Sequence, residues 1–115
     1  MPVLSLDDIQ TLCHDAIASS GASEQQAAAV ALEIMDAEAE GIRNVGLGYI
    51  HLYLKQLKSG KILGHAVPVV TTRSEAITLI DAGYGFCHTA YLAGEASLIA
   101  SARKQGVGLM SINHS

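Results

Sequence analysis

Apolar residues recur every three or four positions from Leu6 to Leu57, and around Pro68 that period gives way to short β-rich runs. A 3.6-residue period is buried as helix, and runs of β-branched residues are buried as strand. The chain must therefore build a helical segment first and a strand-containing segment second. Ser5, with Asp8 three residues on, starts a helix over about 6–19 whose apolar positions are Leu6, Ile9, Leu12, Cys13, Ala16 and Ile17; Gly21 suits its C-cap. Ser23 with Gln26 reads as a capping box for a second helix over 24–40. Ala27, Val30, Ala31, Ile34 and Ala37 share one face of it, and Gly41 ends it. Asp36, Glu38 and Glu40 lie near its C-terminus, where the helix dipole disfavours negative charge. They are either a solvated face or the border of a site. After a break at 41–46, a third helix is expected over 47–58, striped by Leu47, Ile50, Leu54 and Leu57 and closed by Gly60.

The second half reads as strands over 67–72 and 76–81, a turn at Ala82–Gly85, a helix over 88–104 and a strand over 107–112. Leu92, Ala96, Ile99, Ala100 and Arg103 fall in register along that helix, and Gly106 caps it. A strand–helix–strand unit of this length pairs its strands in parallel through a right-handed crossover. The fold class is therefore α/β. An N-terminal segment of three helices (1–60) precedes the start of a mixed-sheet α/β core (61–115), the two forming one truncated domain. So few strands without further cover read as the N-terminal piece of something larger.

Half of the 115 residues are hydrophobic and only 16% are charged, which excludes a disordered chain. Seven basic against eleven acidic residues give a net charge of −4, and no basic block is present for nucleic acid to bind. Cys13 and Cys87 do not make a disulfide framework. The first residues carry no basic-then-apolar leader, and no apolar stretch reaches the roughly 18 residues of a membrane span. A soluble, reduced, cytoplasmic protein is expected, with no membrane or nucleic-acid partner.

Individual residues suggest little chemistry. His14, His51, His65, His88 and His114 form no metal-ligand spacing with one another, with Cys or with Glu, so no metal site is expected. Gly83-Tyr84-Gly85 begins a dinucleotide fingerprint, but His88 stands where the third glycine belongs, and a plain strand-to-helix turn is the simpler reading. Cys87, at the start of the fourth helix, is either a packed thiol or one activated by the helix N-terminus, with no base evident beside it.

The whole string says more. AEAEGIRNVGLGYIHLYLKQLKSGKI, followed by LIDAGYGFCHTAYLAGEASLIASARKQGVGLMSINHS, resembles the N-terminal part of the type 2 malate/lactate dehydrogenases. That family is distinct from the Rossmann lactate dehydrogenases and includes ureidoglycolate, sulfolactate and piperideine- or pyrroline-2-carboxylate enzymes. Its pattern is an acidic helix end, then G-[hydrophobic]-x-S-H-G, then a helix carrying Arg and Tyr. A strand ending in I-D-G, a G-F-G turn, a helix ending A-R-x-x-G-V-G and a strand ending in N-S-x-H follow.

The resemblance implies an oxidoreductase that transfers hydride between NAD or NADP and C2 of a 2-hydroxy acid, 2-keto acid or cyclic imino acid. It also implies a homodimer with a small carboxylic acid as substrate. The departures matter as much. Asn44-Val45 stands in place of the family's Ser-His, and Tyr49 in place of the Arg that clamps the substrate carboxylate. Tyr53 matches the family's Tyr. Ser115 matches the Ser of N-S-x-H, whose His would lie beyond Ser115. No catalytic residue is therefore assigned. By resemblance, Asn44, Tyr49 and Tyr53 are expected at the substrate, and His114 and Ser115 at the cofactor. Val45 cannot transfer a proton; read structurally, it packs against the third helix beside Leu47. The competing reading is a non-catalytic helical interaction or dimerisation module, inactive as an enzyme.

Overall fold

Ser5 accepts a hydrogen bond from the Asp8 amide at 3.1 Å, and the Asp8 carboxylate accepts one from the Ser5 amide at 3.3 Å. This reciprocal cap satisfies two otherwise orphaned donors and starts α1, Leu6–Ser19. In the computed structural model, which describes residues 3–115, the chain divides into two compact units, one ending at His65 and the other running from Ala66 to Ser115.

In the first unit α1 packs on α2, Glu24–Ala39, whose start is capped by the Ser23 hydroxyl accepting from the Gln26 amide at 3.2 Å. The buried face of α1 is Ile9, Cys13 and Ile17. Leu6 and Leu12, expected in the same stripe, are exposed, so the packed face of α1 is narrower than its full apolar set. All five residues expected on the inner face of α2 are buried. Burying Ile17 and Ile34 fully contributes about 1.5–3 kcal/mol each.

The third helix differs from expectation at its start. Two 3-10 turns, Arg43–Val45 and Leu47–Tyr49, flank Gly46, and α3 proper is Ile50–Lys58. The tighter winding follows from how the amides are used. Gly46 donates to the Arg43 carbonyl and Tyr49 to the Gly46 carbonyl, both three residues back. Of the expected stripe, Leu57 is buried, while Leu47, Ile50 and Leu54 are half-buried.

In the second unit, β1 (Val69–Ser74) runs antiparallel to β2 (Ile77–Asp81), with a register shift between Thr72 and Ser74. β2 pairs in parallel with β3 (Leu109–Asn113), and α4 (Cys87–Gln105) connects them. The sheet order is β1-β2-β3, so the sheet is mixed and the fold α/β, as expected. β1 starts two residues later than the composition suggests because Pro68 has no amide for the ladder.

The register of α4 is the larger correction. Its buried positions are Thr89, Ala90 and Gly94, not the Leu92, Ala96, Ile99 and Ala100 stripe, all of which is exposed. Gly94 explains the choice. A Cβ there would collide with Ile80 Cδ1 and lie 2.6 Å from Met110 Sδ, so the helix backbone lies closer to the sheet than any side chain would permit. Ile80, Ala82 and Ala90 form the core beneath it, with Met110 and Ile112 packed against them.

Candidate functional site

The acidic end of α2 is not one thing. Asp36 and Glu40 are exposed, whereas Glu38 is half-buried, and its Oε1 accepts a hydrogen bond from the Leu47 amide at 2.6 Å. That amide belongs to the first turn of the following helical run and would otherwise be orphaned. Glu38 also fills the space where Gly46 would carry a Cβ; such an atom would strike Oε1 and lie 2.9 Å from Cδ. Beneath it the buried Cys13 thiol is pushed up to about 11, first by burial and then by the Glu38 charge, so it is inert at neutral pH.

The segment held this way carries four positions singled out in the sequence. Asn44 is exposed in the first 3-10 turn. Val45, in the same turn, is 45% exposed and so is not the buried packing position expected of it. Tyr49 ends the second turn and meets Tyr53 of α3 edge-to-face, with ring centroids 5.1 Å apart. The spacing of four residues places both rings on one helical face.

His114 and Ser115 belong to the second unit, just past β3 at the C-terminal end of the parallel pair, where open α/β sheets bind ligands. His114 Nδ1 lies 3.1 Å from Asp81 Oδ1, and its ring stacks at 5.0 Å on Tyr84. Tyr84 and His114 both adopt left-handed backbone, with φ 65° and 55°, and the Tyr84 amide donates to the His114 carbonyl at 2.6 Å. The Gly83 amide, foremost, and then His114 hold the Asp81 carboxyl below its usual range. Neither Asp81 nor Tyr84 is given a role by the sequence, where Tyr84 enters only as the middle of Gly83-Tyr84-Gly85. An acidic residue closing a strand ahead of Gly-Tyr-Gly is the signal that could have found them, since an aspartate there can accept from the amide two residues on. Gly83-Tyr84-Gly85 is the turn expected between β2 and α4.

Other candidates hold less. Cys87 is exposed at the first residue of α4, so the packed-thiol reading does not hold. His88 is held below its usual pKa by burial. A groove of about 300 Å³ lies between α1 and α2, lined by Gln10, Thr11, His14, Glu24, Ala28 and Ala31. Both His14 ring nitrogens there face carboxylates, Nε2 to Glu24 at 2.8 Å and Nδ1 to Asp15 at 3.2 Å, which leaves no nitrogen open for a ligand. Among the described residues no cluster of His, Cys, Asp and Glu could hold a metal ion, and no helix is long and apolar enough to cross a membrane.

Residues 4–115 match the family model described as malate/L-lactate dehydrogenase. The chain belongs to that family. It is 34% identical over 110 residues to the Δ1-pyrroline-2-carboxylate reductase of Ancylobacter novellus, covering 96% of this chain and 32% of that relative. It is 30% identical over 113 residues to the (2R)-3-sulfolactate dehydrogenase (NADP+) of Chromohalobacter salexigens, covering 98% of this chain and 34% of that protein. The malate dehydrogenase structure from Pyrococcus horikoshii OT3 superposes with a TM-score of 0.86 at 20% identity over 97% of this chain and 32% of its own, a likeness of fold. The chain thus spans about a third of the length of these family members.

Proposed function

We propose that this chain contributes to an NAD(P)-dependent oxidoreductase that reduces a cyclic imino acid such as Δ1-pyrroline-2-carboxylate, with 2-hydroxy and 2-keto acids as the neighbouring substrate class. The carrying observation is the 34% identity to a Δ1-pyrroline-2-carboxylate reductase across almost the whole chain. NAD or NADP, when bound, supplies the hydride that adds to C2 of the C=N bond, while a proton goes to the ring nitrogen.

The roles we give the chain's own residues are those of binding. The Tyr49 and Tyr53 hydroxyls and the Asn44 amide are donors for the substrate carboxylate. None supplies the fixed positive charge of an arginine, so the carboxylate is held by hydrogen bonds rather than by a bidentate ion pair. Val45 offers no proton, so the acid–base work falls to a group elsewhere. His114 and Ser115 are the residues we place at the cofactor. Asp81 directs the His114 ring through Nδ1 and leaves Nε2 open, a donor or acceptor that suits a hydroxyl or carboxamide of a nicotinamide nucleotide. The carboxylate beside it disfavours a phosphate at the same spot. The setting we assign is a cytoplasmic homodimer.

Incubating the purified chain with NADH or NADPH and Δ1-pyrroline-2-carboxylate tests the chemistry. No turnover is expected of this chain by itself, because it spans only a third of its relatives' length. Substrate should nonetheless shift the NMR signals of Asn44, Tyr49 and Tyr53. Saturable oxidation of the nicotinamide by this chain would refute its inactivity, and absence of those shifts would refute the substrate assignment.

A second reading, a self-associating module, is favoured by the outward stripe of α4, where Tyr91, Leu92 and Ile99 are 39–43% exposed. Sedimentation at roughly tens of micromolar should show dimers or larger species; a well-behaved monomer would count against it.

A further inference from the structure

The geometry points to Glu38 as a positioning residue: its carboxylate holds the Gly46–Leu47 corner, and through it the exposed turn that carries Asn44 and the Tyr49–Tyr53 pair. This deepens the substrate reading above and rests on it for its catalytic meaning, but the positioning itself stands on three independent observations.

The first is the bond. Glu38 Oε1 accepts from the Leu47 amide at 2.6 Å, nine residues along the chain, at a half-buried site. Hydrogen bonds to a charged acceptor are short and roughly twice as strong as neutral ones. The second is the fit. The carboxylate lies where a Cβ on residue 46 would have to be, so Gly46 and Glu38 are matched parts of one contact. The third is the local winding. Gly46 separates the two 3-10 turns, its amide donating to Arg43 and its carbonyl accepting from Tyr49. Whatever fixes Gly46–Leu47 therefore fixes both turns, with Asn44 on one side and Tyr49 on the other. Asp36 and Glu40, the neighbouring acids, remain exposed, which marks Glu38 as distinct from a general acidic face.

The arrangement makes a prediction that separate contributions would not. An Ala at 46 has room only if the carboxylate swings aside, and swinging aside breaks the bond to Leu47. Gly46→Ala and Glu38→Ala therefore lose the same interaction, and the double variant loses it once.

Amide hydrogen exchange of the intact chain reads this directly. Each single variant should lower protection at Leu47 by roughly 10- to 100-fold, the range expected for one charged hydrogen bond. The double variant should lower it by no more than the larger single effect. Glu38→Gln, which keeps an acceptor of the same shape, should restore part of the protection and the Tyr49–Tyr53 ring-current shifts that Glu38→Ala disturbs. Amides of α1 and α4 serve as the control for folding and should not change. Multiplying effects in the double variant, or unchanged Leu47 protection in Glu38→Ala, would overturn the assignment.

Titrating wild type and Glu38→Ala with Δ1-pyrroline-2-carboxylate separates the two claims. Shifts at Asn44 and Tyr49 that weaken at least ten-fold in apparent affinity in the variant support positioning for binding. Shifts of equal affinity in both overturn that role. No shifts in either protein, with Leu47 protection still lost on mutation, sink the substrate reading and leave Glu38 as the residue that holds the turn.

Discussion

The two units seat their helices by different means, and the difference separates the parts that hold the fold from the parts that shape the surface. In the unit ending at His65, the helices carry small alanines at their buried positions, and glycine serves a loop instead: a Cβ at Gly64 would strike the Gly21 carbonyl. Ala27, Ala31 and Ala37 are buried on α2, which packs on α1, and serine caps pin both helix starts. In the unit from Ala66 onward, close approach comes from glycines: Gly94 lets α4 lie against Ile80 and Met110, and Gly108 lies where a Cβ would be 2.8 Å from the Leu98 carbonyl oxygen of α4. A helix seated on small residues turns its larger apolar side chains outward, so Tyr91, Leu92 and Ile99 of α4 stand exposed. Glycine has a second use in the first unit. Gly46 makes room for a carboxylate rather than for a core side chain, and the result is a held turn instead of a packed layer.

Large core truncations should break the comparison most visibly. Ile34→Ala and Ile80→Ala each leave a cavity in a fully buried site and should cost about 2–5 kcal/mol, measured by denaturant unfolding. If the units are separate bodies, hydrogen exchange should rise first in the unit that carries the change; uniform acceleration across both would show a single cooperative unit.

Overpacking comes next. Gly94→Ala should cost about 1–3 kcal/mol, because Ile80 is buried and has nowhere to move. A neutral result would show that α4 can lift from the sheet without loss. Cap removal is smaller: Ser5→Ala and Ser23→Ala should each cost about 1 kcal/mol, with fraying confined to the first turns of α1 and α2.

The smallest effect is also the sharpest in sign. His14 is raised above its ordinary value by its hydrogen bonds to Asp15 and Glu24, so its contribution is fully present below about pH 6.5 and lost as pH rises through the folded value. His88 is depressed by burial, so the unfolded chain takes the proton first, and its contribution is present above about pH 6.5 and lost as pH falls through the lower folded value. Asp81 adds loss at still lower pH, below the ordinary carboxylate value. Acidifying from neutral should therefore loosen the second unit while leaving the first as firm or firmer. Residue-resolved exchange at two pH values checks this. His14→Gln should remove the first trend and His88→Phe the second.

Much of this was legible in the residues. Ser5 with Asp8, Ser23 with Gln26, and the Ala27–Ala37 face declared α1 and α2, because capping and helical period act over three or four residues and need no distant partner. The strand–helix–strand order declared the parallel pairing of β2 and β3. The family pattern led to Asn44, Tyr49 and Tyr53, whereas the edge-to-face meeting of the two tyrosine rings is seen only in the structure. The outward rotation of α4 was not legible. An apolar stripe shows which side chains would gain from burial, whereas Gly94 decides which face can come close enough to obtain it. Nor was the role of Glu38 legible among three acids of one type, since only the folded chain brings the Leu47 amide to one of them. Local hydrogen bonding and periodicity are written in neighbouring residues. Close approach and the pairing of a carboxylate with an amide nine residues away exist only once the backbone has turned back on itself.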